Sequence, residues 1–444
     1  MADVHDQRTR RAGARAPAAQ GPTSIDRDAV GALYGTALGA GTKGLPLTAD
    51  GLTLADVAGS GWNVLRDGLP MPLMVLSERA LANNLAAMAD YCVRHGVALC
   101  PHGKTTMAPQ LFTRQIEAGA WGMTAATPTH LRLYRRFGIQ RVLYANELVE
   151  PAAIRWLAGE LERSPEFELY CLVDSVAGVE LLDAGLAGAG RRIGALLEVG
   201  YAGGRGGVRD RDQARRVAAA VDGSRALELA GIECFEGLLS GGDATTLARV
   251  DEFLASVREV CAELREHTSL RAAPEVLVSA GGSSYFDRVV ATFADEGVGL
   301  VLRSGCYLTQ DGGYYAEVSP LAGRRAGPSV LEDAIEIWAA VLSRPEPGRL
   351  ICGMGRRDAP EDKGLPVPRR ALIAGEGPVA LHRASVAALN DQHAHLRVDP
   401  ASPLAPGDLV GFAISHPCTA FDRWRVIPVV DERYTIRDAV LTFF

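Results

Sequence analysis

Between about residue 72 and residue 310, short apolar runs alternate with longer segments whose apolar residues recur three or four apart, the rhythm of repeated βα units. Strands are predicted at Leu73-Val75, Val97-Cys100, Gly122-Thr124, Arg141-Ala145, Glu168-Val173, Gly194-Val199, Gly231-Leu239, Val276-Ser279 and Val298-Arg303. Helices are predicted between them, among others at Leu81-His95, Pro109-Ala118, Pro128-Phe137, Ser175-Ala187, Asp212-Val221 and Thr245-His267. The pattern predicts an α/β fold, a (β/α)8 TIM-type barrel over residues 72–311, with a doubly wound open sheet as the other arrangement. After roughly residue 312 the texture changes to short β-like runs broken by Pro and Gly, and residues 312–444 are predicted to form a second, mainly antiparallel β domain. Its strands are expected at Ile335-Leu342, Arg370-Ala374, Leu396-Val398, Leu409-Ile414 and Arg425-Val430.

Composition narrows the class. The 444 residues exceed the usual size of one domain, and 48% of them are hydrophobic, enough for a large core. A net charge of −7 argues against nucleic acid or an anionic membrane as partner and favours a small-molecule enzyme. The eight cysteines lie scattered through apolar runs, so they predict reduced thiols in a reducing, cytoplasmic setting. Residues 1–22 are rich in Ala and Arg without an apolar core and predict a disordered tail. No run approaches the roughly 20 apolar residues needed to span a bilayer.

The candidate chemistry begins at Lys104, in Pro101-His-Gly-Lys-Thr105, just past a predicted strand. An amine at a strand mouth can reach a ligand instead of solvent, and partial desolvation makes such an amine nucleophilic. Pro101 stiffens the approach, Gly103 admits a ligand close to the backbone, and His102 and Thr105 flank the amine. This Pro-His-Gly-Lys-Thr segment resembles the Schiff-base motif of the D-serine dehydratase and D-threonine aldolase family, fold type III pyridoxal-phosphate enzymes with an alanine racemase-like barrel. The resemblance continues in order from about Pro72 to Asp431, with one departure at Thr106, where many relatives carry a second histidine. It implies pyridoxal 5′-phosphate on Lys104, a homodimer, and an N-terminal segment, residues 23–71, that joins the β domain.

Two glycine-rich turns after adjacent predicted strands suit a phosphate, which backbone N–H groups can hold. Ser279-Ala-Gly-Gly-Ser-Ser284 resembles the family's phosphate loop, with Gly281, Gly282 and Ser283 as contacts; Arg303-Ser-Gly-Cys-Tyr307 resembles its second contact, supplied by backbone at Gly305, Cys306 and Tyr307. Glu198-Val-Gly-Tyr-Ala-Gly-Gly-Arg-Gly-Gly-Val208 resembles the Gly-x-x-Arg-x-Gly-Val segment, which implies Arg205 at the cofactor ring and Tyr201 nearby. An arginine there would limit the ring's strength as an electron sink.

His416 and Cys418 follow the apolar run Leu409-Ile414; in an extended segment residues i and i+2 face the same way, and imidazole with thiolate is a soft pair that suits Zn²⁺. Alone, His-x-Cys reads as a core histidine beside a buried cysteine; its likeness to the family's metal motif favours zinc or another divalent metal. Aldolase relatives tend to carry aspartate in place of Cys418, which favours the dehydratase branch. Asn390-Asp-Gln-His-Ala-His395 resembles a histidine segment of the family, with His393 as a catalytic or substrate-contacting residue and His395 structural. Together these imply a lyase that takes water and then ammonia from a D-3-hydroxy amino acid such as D-serine. Retro-aldol cleavage, racemisation and non-catalytic carriage of pyridoxal phosphate are the alternatives.

Overall fold

The structure is a computed structural model that describes residues 21–47, 51–324 and 330–444. Most of the tail, residues 1–20, and part of the Gly323-Pro328 stretch lie outside the described residues.

Eight parallel strands form one curled sheet, in the order Ala98–Leu99, Gly299–Leu302, Leu277–Ala280, Leu227–Cys234, Ile193–Val199, Glu168–Val173, Arg141–Glu147, Met123–Ala125. Its two ends meet. The Trp121 N–H donates to the Leu99 carbonyl at 2.8 Å, the Thr124 N–H donates to the Pro101 carbonyl at 2.9 Å, and His102 bridges in parallel to Thr124. The expected barrel is therefore closed. Its strands are buried almost throughout, as strands covered by helices on one side and packed inside on the other must be. Several crossover helices begin on a side-chain cap: Thr127 and Ser175, just past a strand, and Asp210 and Asp243, after longer loops, each accept a backbone N–H of the first turn.

The first predicted strand belongs elsewhere. Leu73–Ser77 pairs antiparallel with Ile335–Glu346 and parallel with Val426–Val430, inside the mainly antiparallel second sheet. That sheet has ten strands and runs Val379–Ala380, Val367–Leu372, Leu409–Ala413, Ile335–Glu346, Leu73–Ser77, Val426–Val430, Ile436–Leu441, with Arg349–Cys352, Ala394–Arg397 and Ser385–Leu389 branching from Ile335–Glu346. A run buried on both faces looks the same in sequence whether its neighbours are parallel or antiparallel. The chain thus enters through the β domain, builds the barrel, and returns. The N-terminal segment touches both domains: the Thr23 and Asp26 N–H groups donate to the Ala120 and Phe137 carbonyls of the barrel, and its later part meets the β domain. The Val64 N–H donates to the Tyr434 carbonyl, Asn63 bridges to Thr435, and the Tyr34 hydroxyl donates to Asp438 at 2.6 Å.

A thiol, imidazole and lysine cluster at the barrel mouth

Lys104 sits in the turn Gly103–Thr105, at the carboxyl end of the first barrel strand, where a (β/α)8 barrel carries its chemistry. Gly103 is required there, because a Cβ would collide with the Tyr134 hydroxyl, which donates to the Thr124 carbonyl at 2.9 Å and pins the turn. Lys104 is partly buried. The flanking groups carry unmet hydrogen-bonding capacity: His102 Nδ1 and Thr106 Oγ1 are buried without a partner. Burial, then the charges of Lys104 and Arg303, hold the His102 imidazole well below its usual pKa and therefore neutral. His130, from the helix Pro128–Arg136, was not singled out by its sequence; burial and Lys104 lower it to about 4, so it adds a second neutral imidazole.

The residue after Lys104 reaches the sulfur groups. Thr105 Oγ1 lies 3.3 Å from Cys418 Sγ and 4.0 Å from Cys306 Sγ, and the two sulfurs are 3.5 Å apart. His416 completes the group: the ligating atoms of Cys306, His416 and Cys418 all lie within 4.8 Å of one another. Cys306 comes from the barrel turn after Gly299–Leu302; His416 and Cys418 come from the β domain after Leu409–Ala413. The reason that His416 and Cys418 face together differs from the expected one. Pro417 has φ −60° and ψ −40° and starts the short helix Cys418–Phe421, so a helical turn, not a strand pleat, brings the pair together. Asp362 holds His416 Nδ1 at 2.5 Å and also accepts from Thr419 at 2.7 Å. Within the sulfur pair, the Cys306 contact holds the Cys418 thiol well below its usual pKa, while the same contact and burial push Cys306 up. Burial opposes a charged His416, but Cys418 and Asp362 outweigh it and raise the imidazole to about 9.

The two glycine-rich turns lie side by side. Ser283 and Ser304 hydroxyls are 2.8 Å apart, and the Cys306 N–H donates to Ser283 Oγ at 3.2 Å. Gly305 has no room for a side chain: a Cβ would lie 2.6 Å from the His102 carbonyl and 2.8 Å from Thr105 Oγ1. Gly281, at φ +87°, and Gly282 hold a different anion from the one expected. Their N–H groups donate to the fully buried Glu236 carboxylate, at 3.4 and 2.8 Å. Among the described residues, the N–H groups of Ser283, Ser284 and Gly305 meet no acceptor. These, with the serine hydroxyls, are the donors open to a phosphate. Tyr307 turns into the core, where Gln115 donates to its hydroxyl at 3.2 Å, and the side chain of Cys306 points to the thiol cluster.

Arg205 is half exposed, with its guanidinium 5.3 Å from the Phe235 ring and 3.9 Å from Glu198. Tyr201 packs edge-on against Phe253 at 5.1 Å. The buried guanidinium of the barrel mouth is instead Arg303, 3% exposed, ion-paired with the fully buried Glu233, donating to the Cys234 carbonyl at 2.8 Å and leaving its Nε unpartnered. Burial raises the carboxyls of Glu233 and Glu236; Arg303 counters it at Glu233, and backbone N–H groups, then Arg303, counter it at Glu236. A strand that ends on arginine inside an apolar run was the available signal, because a charge there needs partners. His393 is exposed in the turn between Ser385–Leu389 and Ala394–Arg397; among the described residues its side chain shares no hydrogen bond or ion pair with the Lys104 group. His395 meets Asn390 at 2.6 Å and Arg349 at 3.2 Å.

Residues 76–295 match the family model described as "Alanine racemase, N-terminal domain", and residues 334–430 match the one described as "Putative serine dehydratase domain". Together the two matches span most of the chain and make it alanine racemase-like, with the fold of the fold type III enzymes. Among its relatives, a D-threonine aldolase of Arthrobacter sp is 28% identical over 74% of this chain and 81% of its own length. A 3-hydroxy-D-aspartate aldolase of Paracoccus denitrificans (strain Pd 1222) is 28% identical over 76% and 84%. The crystal structure of a D-threonine aldolase from Filomicrobium marinum superposes with a TM-score of 0.69 at 24% identity, covering 84% of this chain and 95% of that one.

Pyridoxal phosphate, the cofactor of this fold type, fits the residues present. Unpartnered donors stand at the two phosphate turns, and orphaned buried atoms flank Lys104. Lys104 would hold it, with Ser283, Ser284 and Gly305 on its phosphate. A divalent metal fits the donor set of His416 and Cys418, whose Asp362 contact fixes the imidazole as ligated histidines commonly require. Among the described residues no helix is long and apolar enough to cross a membrane.

Proposed function

We propose that this protein is a metal-assisted lyase of D-3-hydroxy amino acids, acting as a dehydratase that yields a 2-keto acid and ammonia, with D-serine the first candidate substrate. The reading is carried by one observation: Thr105, the neighbour of Lys104, touches the Cys418 sulfur, so the amine and the thiol–imidazole pair serve one substrate. Bound pyridoxal phosphate draws electron density from the substrate's Cα, and a bound divalent metal acts as a Lewis acid toward its β-hydroxyl.

The residues divide the remaining work. The Ser283, Ser284 and Gly305 N–H groups fix the phosphate end. The Lys104 amine would hold the cofactor and is the base assigned to the substrate's α-proton. His102 and His130, held neutral beside it, do not compete as cations. The Cα–H electron pair moves toward Cβ as the hydroxyl departs with a proton as water. The resulting enamine is hydrolysed to the keto acid and ammonia.

Two relatives named as aldolases support retro-aldol cleavage as a second reading. That reaction needs a base on the hydroxyl rather than help for its departure. The thiol-rich donor set and the serine dehydratase model over the metal-bearing segment support dehydration. The test is purified protein with pyridoxal phosphate and zinc on D-serine. Pyruvate and ammonia in equal amounts, lost on chelation and restored by zinc, are expected. Glycine and formaldehyde would overturn the reading.

A further inference from the structure

The His416–Cys418 pair supplies two ligands, whereas a tightly held zinc commonly has at least three from the protein. A third donor lies beside them. Cys306 Sγ lies 3.5 Å from Cys418 Sγ, and two thiolates on one tetrahedral zinc, each at about 2.3 Å, stand roughly 3.8 Å apart. The sulfurs are thus already near their ligating separation. Thr105 Oγ1 reaches both, and Asp362 occupies His416 Nδ1, which leaves Nε2 for a metal. Cys306 is buried and none of the cysteines is in a disulfide, so its thiol is available.

We propose that Cys306 is a third protein ligand, making a Cys2His metal site that joins the barrel to the β domain and keeps its fourth position for water or the substrate hydroxyl. The inference rests on the metal-assisted reading for its chemistry, but its geometry stands on these three residues alone. Two consequences follow from donor chemistry. Two sulfurs and one imidazole favour zinc over the oxygen-seeking magnesium and manganese. A metal shared between segments 112 residues apart would also tie the two domains together at the active site.

The tests read the metal, not turnover. Metal-free protein is titrated with zinc against a chromophoric chelator, for wild type and for Cys306→Ser and Cys418→Ser. Both variants are expected to lose affinity by roughly tenfold to a hundredfold, in line with removal of a ligand or of its support. With cobalt(II) in place of zinc, the sulfur-to-cobalt band in the near ultraviolet should fall by about half in either variant. Because Cys306 is buried and its variant could misfold, X-ray absorption of the zinc-loaded wild-type protein provides an independent count. Two sulfur neighbours at about 2.3 Å support the proposal. One sulfur neighbour, or zinc affinity and cobalt spectrum unchanged in Cys306→Ser, overturns it and leaves the pair-based metal reading intact. A wild-type protein that binds no zinc overturns both.

Discussion

The barrel mouth holds two polar clusters built on opposite plans. Glu198, Glu233, Glu236 and Arg303 all come from the barrel's own strands and turns, and two of the carboxylates find partners there: Arg303 pairs with Glu233, and Glu236 accepts the Gly281 and Gly282 N–H groups. Cys306, His416 and Cys418 come from two domains, and their ligating atoms converge without an internal cation to balance them beyond His416 itself. The first cluster pairs its cation within the barrel; the second brings ligating atoms together from two domains. Buried charge therefore identifies the scaffold here as readily as the site, and the discriminating feature is whether the charge is already paired within one domain.

That contrast can be broken in several places. The largest effect is expected at the amine that the second cluster serves. Lys104→Ala should lower turnover by roughly three orders of magnitude or more and abolish the visible absorbance of bound cofactor, measured on purified protein. In the barrel cluster, Arg303→Met leaves the buried Glu233 without its cation and should cost about 3–5 kcal/mol in chemical denaturation of cofactor-free protein. Partial recovery on adding Glu233→Gln would sharpen the assignment, and an unchanged midpoint would refute it. In the second cluster, Cys418→Ala should reduce keto acid formation by roughly a hundredfold while stability and cofactor affinity change little. A collapse in stability instead would make it a structural site.

A smaller effect tests the sign of the buried carboxyl. Burial, with Glu147 and Glu233 nearby, pushes Glu198 up to about 9. Between its unfolded value of 4.5 and about 9, the folded state holds a proton that the unfolded chain releases, so this residue lowers stability as pH rises through that window. Glu198→Gln should remove the slope, and its advantage in melting temperature should be greater at pH 8.5 than at pH 5.5. The smallest effect is at the turn that presents Lys104. Tyr134→Phe removes one buried hydrogen bond and should cost about 1 kcal/mol in denaturation.

Sequence made local patterns legible and left distant convergence hidden. The βα rhythm, the lysine at its strand end and the His-x-Cys pair are each written within a few residues. The third sulfur was visible only as part of a phosphate turn, because what turns Cys306 toward Cys418 is the docking of two domains. The same limit hid the use of the Gly281 and Gly282 N–H groups: their acceptor, Glu236, is 45 and 46 residues away. The predicted strand Gly231-Leu239 in fact ends at Cys234, and Glu236–Leu238 is a tight turn, which is what places Glu236 beneath those glycines. Leu73–Ser77 carries the apolar signature of a barrel strand, and only its pairing shows otherwise.

The most direct test of the proposed chemistry uses D-threonine, from which each reaction gives distinct products. With pyridoxal phosphate and zinc present, dehydration gives 2-oxobutanoate and ammonia, and this is the result expected of a thiol-held Lewis acid beside Lys104. Glycine and acetaldehyde would show that the same amine and metal pair break the Cα–Cβ bond instead, and would contradict it.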